Sequence, residues 1–190
     1  MKALEEKILR EGIVLPGNIL KVGSFLNHQI DVDFIMEIGR EIARIFAGEK
    51  ITKILTVESS GIAIAVGAGI AMHLPVVFAK KNKTSNIDGD FYKTVVHSYT
   101  HGVDYNVVVE KDFLNKNDCV LIVDDFLANG RALLGLIDIV NQSGGKVVGA
   151  SCAIEKGFQH GGDNLRAKGI RVESLAVICS MTDTEIVFCG

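Results

Sequence analysis

From residue 119 the chain reads Cys-Val-Leu-Ile-Val-Asp-Asp-Phe-Leu-Ala-Asn-Gly-Arg-Ala, and this stretch narrows the folds open to it more than any other. The apolar run from Val120 to Val123 is short, β-branched and uninterrupted, the pattern of a strand covered on both faces in a parallel sheet. It stops abruptly at Asp124 and Asp125, which places an acidic pair at the carboxyl end of a strand, where open α/β sheets form their ligand crevice. Asn129 and Gly130 then turn the chain into a helical pattern that starts at Arg131. A tight loop opening a helix presents unpaired N–H groups and the positive end of the helix dipole, a setting suited to phosphate. Two carboxylates beside a phosphate cradle repel a simple phosphate ester. A polyhydroxylated sugar phosphate reconciles the two, because carboxylates accept hydrogen bonds from vicinal hydroxyls while the loop holds the phosphate. Taken alone, the same residues also read as an ordinary corner with a solvated acidic pair.

The flanking pattern extends the α/β reading. Apolar runs at 51–57, 75–79, 146–154 and 172–178 alternate with helical patterns at 61–72, 131–142 and about 159–168, which predicts a mostly parallel sheet with right-handed crossovers and ligand loops gathered at one edge. Residues 184–189 fit a terminal strand. Between Lys80 and Asn117 the alternation breaks, and 94–100 with 105–110 read as two strands joined at His101-Gly102. This insertion, 80–117, is expected to be a flexible hairpin over the crevice, with an edge hairpin as the plainer reading. Ahead of the first core strand, residues 2–11 suit an amphipathic helix with Leu4, Ile8 and Leu9 on one side, residues 12–30 suit short strands or loops covering a pocket, and Asp31 caps a helix running to about Ala47.

A chain of 190 residues, 48% hydrophobic and 23% charged, supports one sizeable core. The expectation is a single domain over 1–190, with 1–30 forming a small hood. A net charge of -3 without runs of like charge excludes a general nucleic-acid footprint. Cys119, Cys152, Cys179 and Cys189 stand singly in or beside apolar stretches, without zinc-site spacing, and are read as buried free thiols of a reducing compartment. The polar start of the chain and the lack of any apolar run approaching ~20 residues give no reason to expect a signal peptide or a membrane partner, so a cytoplasmic location is expected.

The order of strand, acidic pair, two apolar residues, small residue, polar residue, glycine and helix resembles the 5-phosphoribosyl-1-diphosphate (PRPP) binding motif of the type I phosphoribosyltransferases. That resemblance implies the fold of the family, catalytic roles for Asp124 and Asp125, and a phosphate loop of Ala128, Asn129, Gly130, Arg131 and Ala132. A similar Glu-Ser-x-Gly turn in adenine phosphoribosyltransferases and PRPP-sensing purine repressors implies that Ser59, Ser60 and Gly61 hold pyrophosphate. Lys81, in preference to Lys80, stands where related enzymes supply a lysine to the same group. Two departures are visible. Ala128 replaces the aspartate of hypoxanthine-guanine enzymes, and Arg131-Ala132 replaces a common hydroxyl residue, which leaves the general base unassigned.

Beyond the motif, the segment 20–27 and the run Ala153-Ile154-Glu155-Lys156-Gly157-Phe158 resemble the bacterial xanthine phosphoribosyltransferases, a likeness running along nearly the whole chain. It implies Leu20, Asn27 and Lys156 as purine contacts, xanthine and PRPP as substrates, xanthosine 5′-monophosphate (XMP) and pyrophosphate as products, and a homodimer. Lys156 only donates hydrogen bonds, which suits a 6-oxopurine and not the 6-amino group of adenine. Phe158 fits either the purine or the core. No tightly bound cofactor and no dedicated metal site are expected, with Mg2+ accompanying PRPP. The rival readings are a guanine or hypoxanthine transferase and a non-catalytic PRPP-sensing regulator on the same fold.

Overall fold

The computed structural model describes residues 1–82, 90–98 and 103–189. In chain order it contains α1 (Lys2–Glu11), β1 (Ile13–Leu15), β2 (Ile19–Lys21), a π-helical turn (Gly23–Asn27), α2 (Val32–Ile45), β3 (Lys53–Val57), α3 (Gly61–Met72), β4 (Val76–Asn82), β5 (Phe91–Ser98) and β6 (Val103–Glu110). There follow β7 (Cys119–Leu127), α4 (Arg131–Gln142), β8 (Lys146–Lys156), α5 (Gly161–Ala167), β9 (Val172–Met181) and β10 (Ile186–Phe188). Eight strands form one sheet in the order β10-β9-β8-β7-β3-β4-β6-β5. The run from β9 to β4 is parallel, while β10, β6 and β5 join antiparallel at the two edges. β7 lies at the centre because its side chains are apolar on both faces. Leu121 and Val123 pack with α1, α2 and α3 on one side, and Val120 and Ile122 with α4 and Leu165 of α5 on the other. Covering both faces is what a parallel sheet requires.

Small residues let the layers close. α3 carries Gly61, Gly67 and Gly69 among alanines, and α2 approaches so near that a Cβ on Gly39 would strike the Gly67 carbonyl group and sit 2.8 Å from the Ala68 nitrogen. A helix of this composition is set by packing rather than by an amphipathic stripe.

The structure departs from the sequence reading in five places. β7 runs to Leu127, so Asp124 and Asp125 lie within the strand; β8 runs to Lys156 beside it, with Asp124 opposite Cys152 and Leu127 opposite Glu155, so the ladder continues past the acids. Lys80 and Lys81 are likewise inside β4, not beyond it. The described strands of the 80–117 insertion extend the sheet, because β6 pairs with β4 from Lys80↔Val108 to Asn82↔Asn106; the expected tip at His101-Gly102 lies outside the described residues. Leu9 faces solvent, since α1 buries only Leu4 and Ile8. Cys179 and Cys189 form a disulfide, Cα atoms 5.2 Å apart, whereas Cys119 and Cys152 are free. The return of β10 along β9 brings together two cysteines ten residues apart in sequence. Nothing in their local spacing signals that return. The helices fared better, with α3 and α4 matching their expected bounds and Asp31 capping α2 by accepting from the Phe34 N–H at 3.1 Å.

Candidate active site

The acid pair sits where the sheet's apolar support ends. Asp124 and Asp125 are both buried, and Asp124 Oδ1 accepts the Asp125 N–H at 3.0 Å. Burial, reinforced by the neighbouring Asp125 carboxylate, pushes the Asp124 carboxyl well above the usual carboxylate range, with the Lys81 charge pulling the other way. The Asp124 carboxyl therefore holds its proton more tightly than a free aspartate does. Thr56 adds a buried hydroxyl without a hydrogen-bond partner. A Cβ on Gly61 would collide with Thr56 Oγ1 and lie 2.8 Å from Asp124 Oδ1, so the glycine at the start of α3 lets that helix end rest directly on the acid.

The loop after β7 is shaped for an anion. Gly130, at φ 80°, occupies the left-handed region and caps α4, a conformation in which side chains are strained. Asn129 Oδ1 accepts the Arg131 N–H at 3.2 Å, which fixes the turn. The loop is braced from behind, because the Gly161 N–H donates to the Ala128 carbonyl at 3.1 Å. A Cβ on Gly161 would meet Asn129 C and Gly130 N at 2.6 Å. α5 is in turn tied to β8 by Arg166, whose guanidinium grips the buried Glu155 carboxylate at 3.0 and 2.7 Å.

On the other side of the acids, a cis peptide joins Glu58 and Ser59, and Ser60 precedes α3 without spending its hydroxyl on the helix cap. Glu58 Oε1 accepts the Lys81 N–H at 2.5 Å, binding this turn to β4. The Lys81 ammonium lies 5.3 Å from the Tyr105 ring centroid. Burial and the nearby Asp124 carboxyl push the Tyr105 hydroxyl upward.

The hood closes the third side. β1 and β2 form a hairpin that buries Leu20, and Lys156 Nζ donates to the Asn18 carbonyl at its tip, 2.8 Å away. Burial lowers the Lys156 pKa, and its ammonium lies 5.7 Å from the Phe126 ring centroid. Phe158 packs against the core cluster that includes α2 and α3. Asn27, at the end of the π-helical turn, donates from Nδ2 to Asp125 Oδ2 at 3.1 Å. The structure thus brings Asn27 to the acid pair, the phosphate loop to the same strand end, and Lys156 to the hood. Thr56, Tyr105, the Asn18 carbonyl and Gly161 are the participants that sequence reasoning missed. Only the Gly161-Gly162 doublet carried a signal, since paired glycines opening a helix mark close backbone approach.

A comparison with protein families matches the phosphoribosyl transferase domain to residues 22–178. A xanthine phosphoribosyltransferase of Lachnoclostridium phytofermentans is 53% identical over 192 residues, spanning 100% of this chain and 99% of its own length. Another, of Clostridioides difficile, is 54% identical over 189 residues, spanning 99% and 100%. Among solved structures, adenine phosphoribosyltransferase from Rhodothermus marinus superposes with a TM-score of 0.74 at 21% identity, covering 94% of this chain and 100% of that one. The same enzyme from Thermoanaerobacter pseudethanolicus gives 0.73 at 20% identity, covering 92% and 98%. At such identities the two structures speak to the fold, which is the type I fold. With a family match over most of the sequence, and relatives more than half identical along its whole length, the chain belongs to the phosphoribosyl transferase domain family.

Proposed function

We propose that the chain is a xanthine phosphoribosyltransferase, transferring the 5-phosphoribosyl group of PRPP to xanthine and releasing XMP and pyrophosphate. The observation that carries the reading is the 3.1 Å hydrogen bond from Asn27 to Asp125. It sets a side chain able to read a purine against the carboxylates suited to a ribose. The names of the relatives at 53% and 54% identity support the choice of base. Displacement of pyrophosphate at the anomeric carbon passes through an oxocarbenium-like state, which negative charge near the ribose and positive charge near the leaving group both stabilise. Asp124 and Asp125 accept the ribose hydroxyls. Residues 128–132 hold the 5′-phosphate on backbone N–H groups at the start of α4, and Ser59, Ser60, Gly61 and Lys81 hold pyrophosphate. Leu20, Asn27 and Lys156 form the purine contacts, with Lys156 donating to the 6-oxo oxygen. If Mg2+ accompanies PRPP, Asp124 and Asp125 would be the oxygen donors beside it, and it would shield the phosphates.

The working form in this reading is a cytoplasmic homodimer. Val66, Ile70, Phe78 and Phe113 are exposed apolar side chains around a contiguous face of α3 and β4 that includes Val76, and such a face suits a second copy of the chain. No helix among the described residues is long and apolar enough to cross a membrane. Turnover with PRPP and each of xanthine, guanine, hypoxanthine and adenine tests the function. Highest kcat/KM on xanthine is the expected result. A preference for guanine or hypoxanthine moves the assignment to the other 6-oxopurines, and PRPP binding without turnover of any base makes the chain a sensor. Light scattering on the purified protein tests the dimer.

A further inference from the structure

The turn that carries Asn27 does not hold itself. It is five residues of π-helix, Gly23–Asn27, and a stretch that short gains little from its own hydrogen bonds. Its inner side, Phe25 and Leu26, is fully buried, while Asn27 stands exposed at its end. What fixes Phe25 is a cation from another element. The Lys7 ammonium of α1 lies 5.3 Å from the Phe25 ring centroid and 4.9 Å from that of Phe34. The two rings meet edge to face, their centroids 6.0 Å apart. The same ammonium donates to Asp31 Oδ2 at 2.8 Å and lies 3.3 Å from Glu11 Oε1. Asp31 is committed on its other sides too, accepting the Phe34 N–H at 3.1 Å and donating its own N–H to the Phe25 carbonyl at 3.0 Å. One cation therefore joins α1, the π-helical turn and the start of α2. A lysine side chain only 11% exposed, with two aromatic faces and two carboxylates around it, is worth more than a surface ion pair.

We propose that Lys7 is a positioning residue for purine selection, its ammonium clamping Phe25 and Asp31 so that the π-helical turn aims Asn27 at the base. This rests on the reading of Asn27 as a purine contact. Asn27 is two residues beyond Phe25, and its amide is tied at the far end to Asp125, so a looser Phe25 blurs the direction of the amide without touching β7 or the phosphate loop.

Three full-length variants test it. Lys7→Met keeps the aliphatic contact and removes the charge, Lys7→Arg keeps a cation over the rings, and Asp31→Asn keeps the helix cap while removing the ion pair. In Lys7→Met the KM for xanthine is expected to rise roughly 5- to 20-fold, with KM for PRPP within about twofold of the parent. Lys7→Arg restores the xanthine KM and Asp31→Asn falls between. Hydrogen exchange, which needs no substrate, is expected to quicken at the Leu26, Gln29 and Asp31 amides and not in β7. If both KM values rise together, or neither moves while the melting temperature falls, Lys7 only stabilises the fold and the proposal is overturned. Should Lys7→Met fail to fold, Asp31→Asn and Lys7→Arg are judged by the same split. A parent protein that prefers another base overturns the xanthine assignment instead, and the KM split is then read with that base.

Discussion

At the scale of single residues, the site spends stability on chemistry. Asp124 is buried, no cation among the described residues is in hydrogen-bond contact with it, and its folded pKa is raised. A carboxyl of this kind contributes most to stability below its unfolded pKa, and that contribution is lost as pH rises through the folded value. Asp124→Asn removes the loss. The unliganded variant is expected to melt higher than the parent at neutral pH, by roughly 2–4 °C for each kcal/mol relieved, and to show a flatter decline of melting temperature with rising pH. Its kcat should fall about 10- to 1,000-fold if the carboxyl answers charge developing on the ribose. Melting curves against pH, together with steady-state rates, check both halves. A rise in KM alone would mark Asp124 as a uniform binding group. Gly130→Val tests the neighbouring loop. Its φ of 80° and the Gly161 carbonyl 3.2 Å from any added Cβ predict strain of ~1–2 kcal/mol or more and at least a tenfold loss of PRPP affinity. Calorimetric titration of the folded variant with PRPP is the measurement, and parent-like affinity would remove the loop from the phosphate site. The acid pair and this loop were legible in the sequence because strand, charge and glycine are contiguous there. Thr56 and Tyr105 were not, since they reach the site from β3 and β6 through pairing that no local pattern reveals.

At the scale of elements, punctuation decided what could be read. α3 and α4 begin at a glycine or just after one, and their expected bounds hold. β7 could not be bounded in the same way, because charged residues inside a buried strand look like its end until the partner strand is known to continue. The π-helical turn was equally hidden, its Phe25-Leu26 pair buried in the core shared with α1, α2 and α3 rather than by any periodicity of its own. The disulfide is the clearest case, since it depends on β10 returning along β9. Closing a ten-residue separation is worth ~3 kcal/mol in the chain-entropy account. Cys189→Ser is therefore expected to lower the melting temperature by roughly 5–10 °C. Dithiothreitol should reproduce that shift in the parent and add nothing to the variant. A parent indifferent to reductant would show that the thiols are free after all. The tether also lies close to the end of β8, because Cys189 Sγ is 3.9 Å from the position of a Cβ on Gly157, the residue after Lys156.

At the scale of the whole molecule, a hydrogen bond joins the hood to the acid pair of the sheet. In the unliganded protein Asn27 Nδ2 is engaged by Asp125 Oδ2, so the amide that would read the base is held by the carboxylate that would read the ribose. PRPP brings hydroxyls that compete for the same oxygen. Their arrival is expected to free the Asn27 amide for the purine, whereas xanthine arriving first would have to break that hydrogen bond, which costs about 0.5–1.5 kcal/mol before any compensation. The same bond explains why Asn27→Asp is a poor probe of base choice, although a carboxylate would suit the guanine amino group: it would set two carboxylates about 3.1 Å apart. The coupling is better tested with the parent chain. Xanthine affinity is expected to be roughly five- to tenfold higher in the presence of a saturating, unreactive PRPP analogue than in its absence. By linkage the analogue should bind tighter by the same factor when xanthine is present. Asn27→Ala leaves Asp125 free from the start and should bring that factor close to one while weakening xanthine itself. Equal xanthine affinities with and without the analogue in the parent would mean that PRPP does not release the amide, and that the hood and the ribose site fill independently.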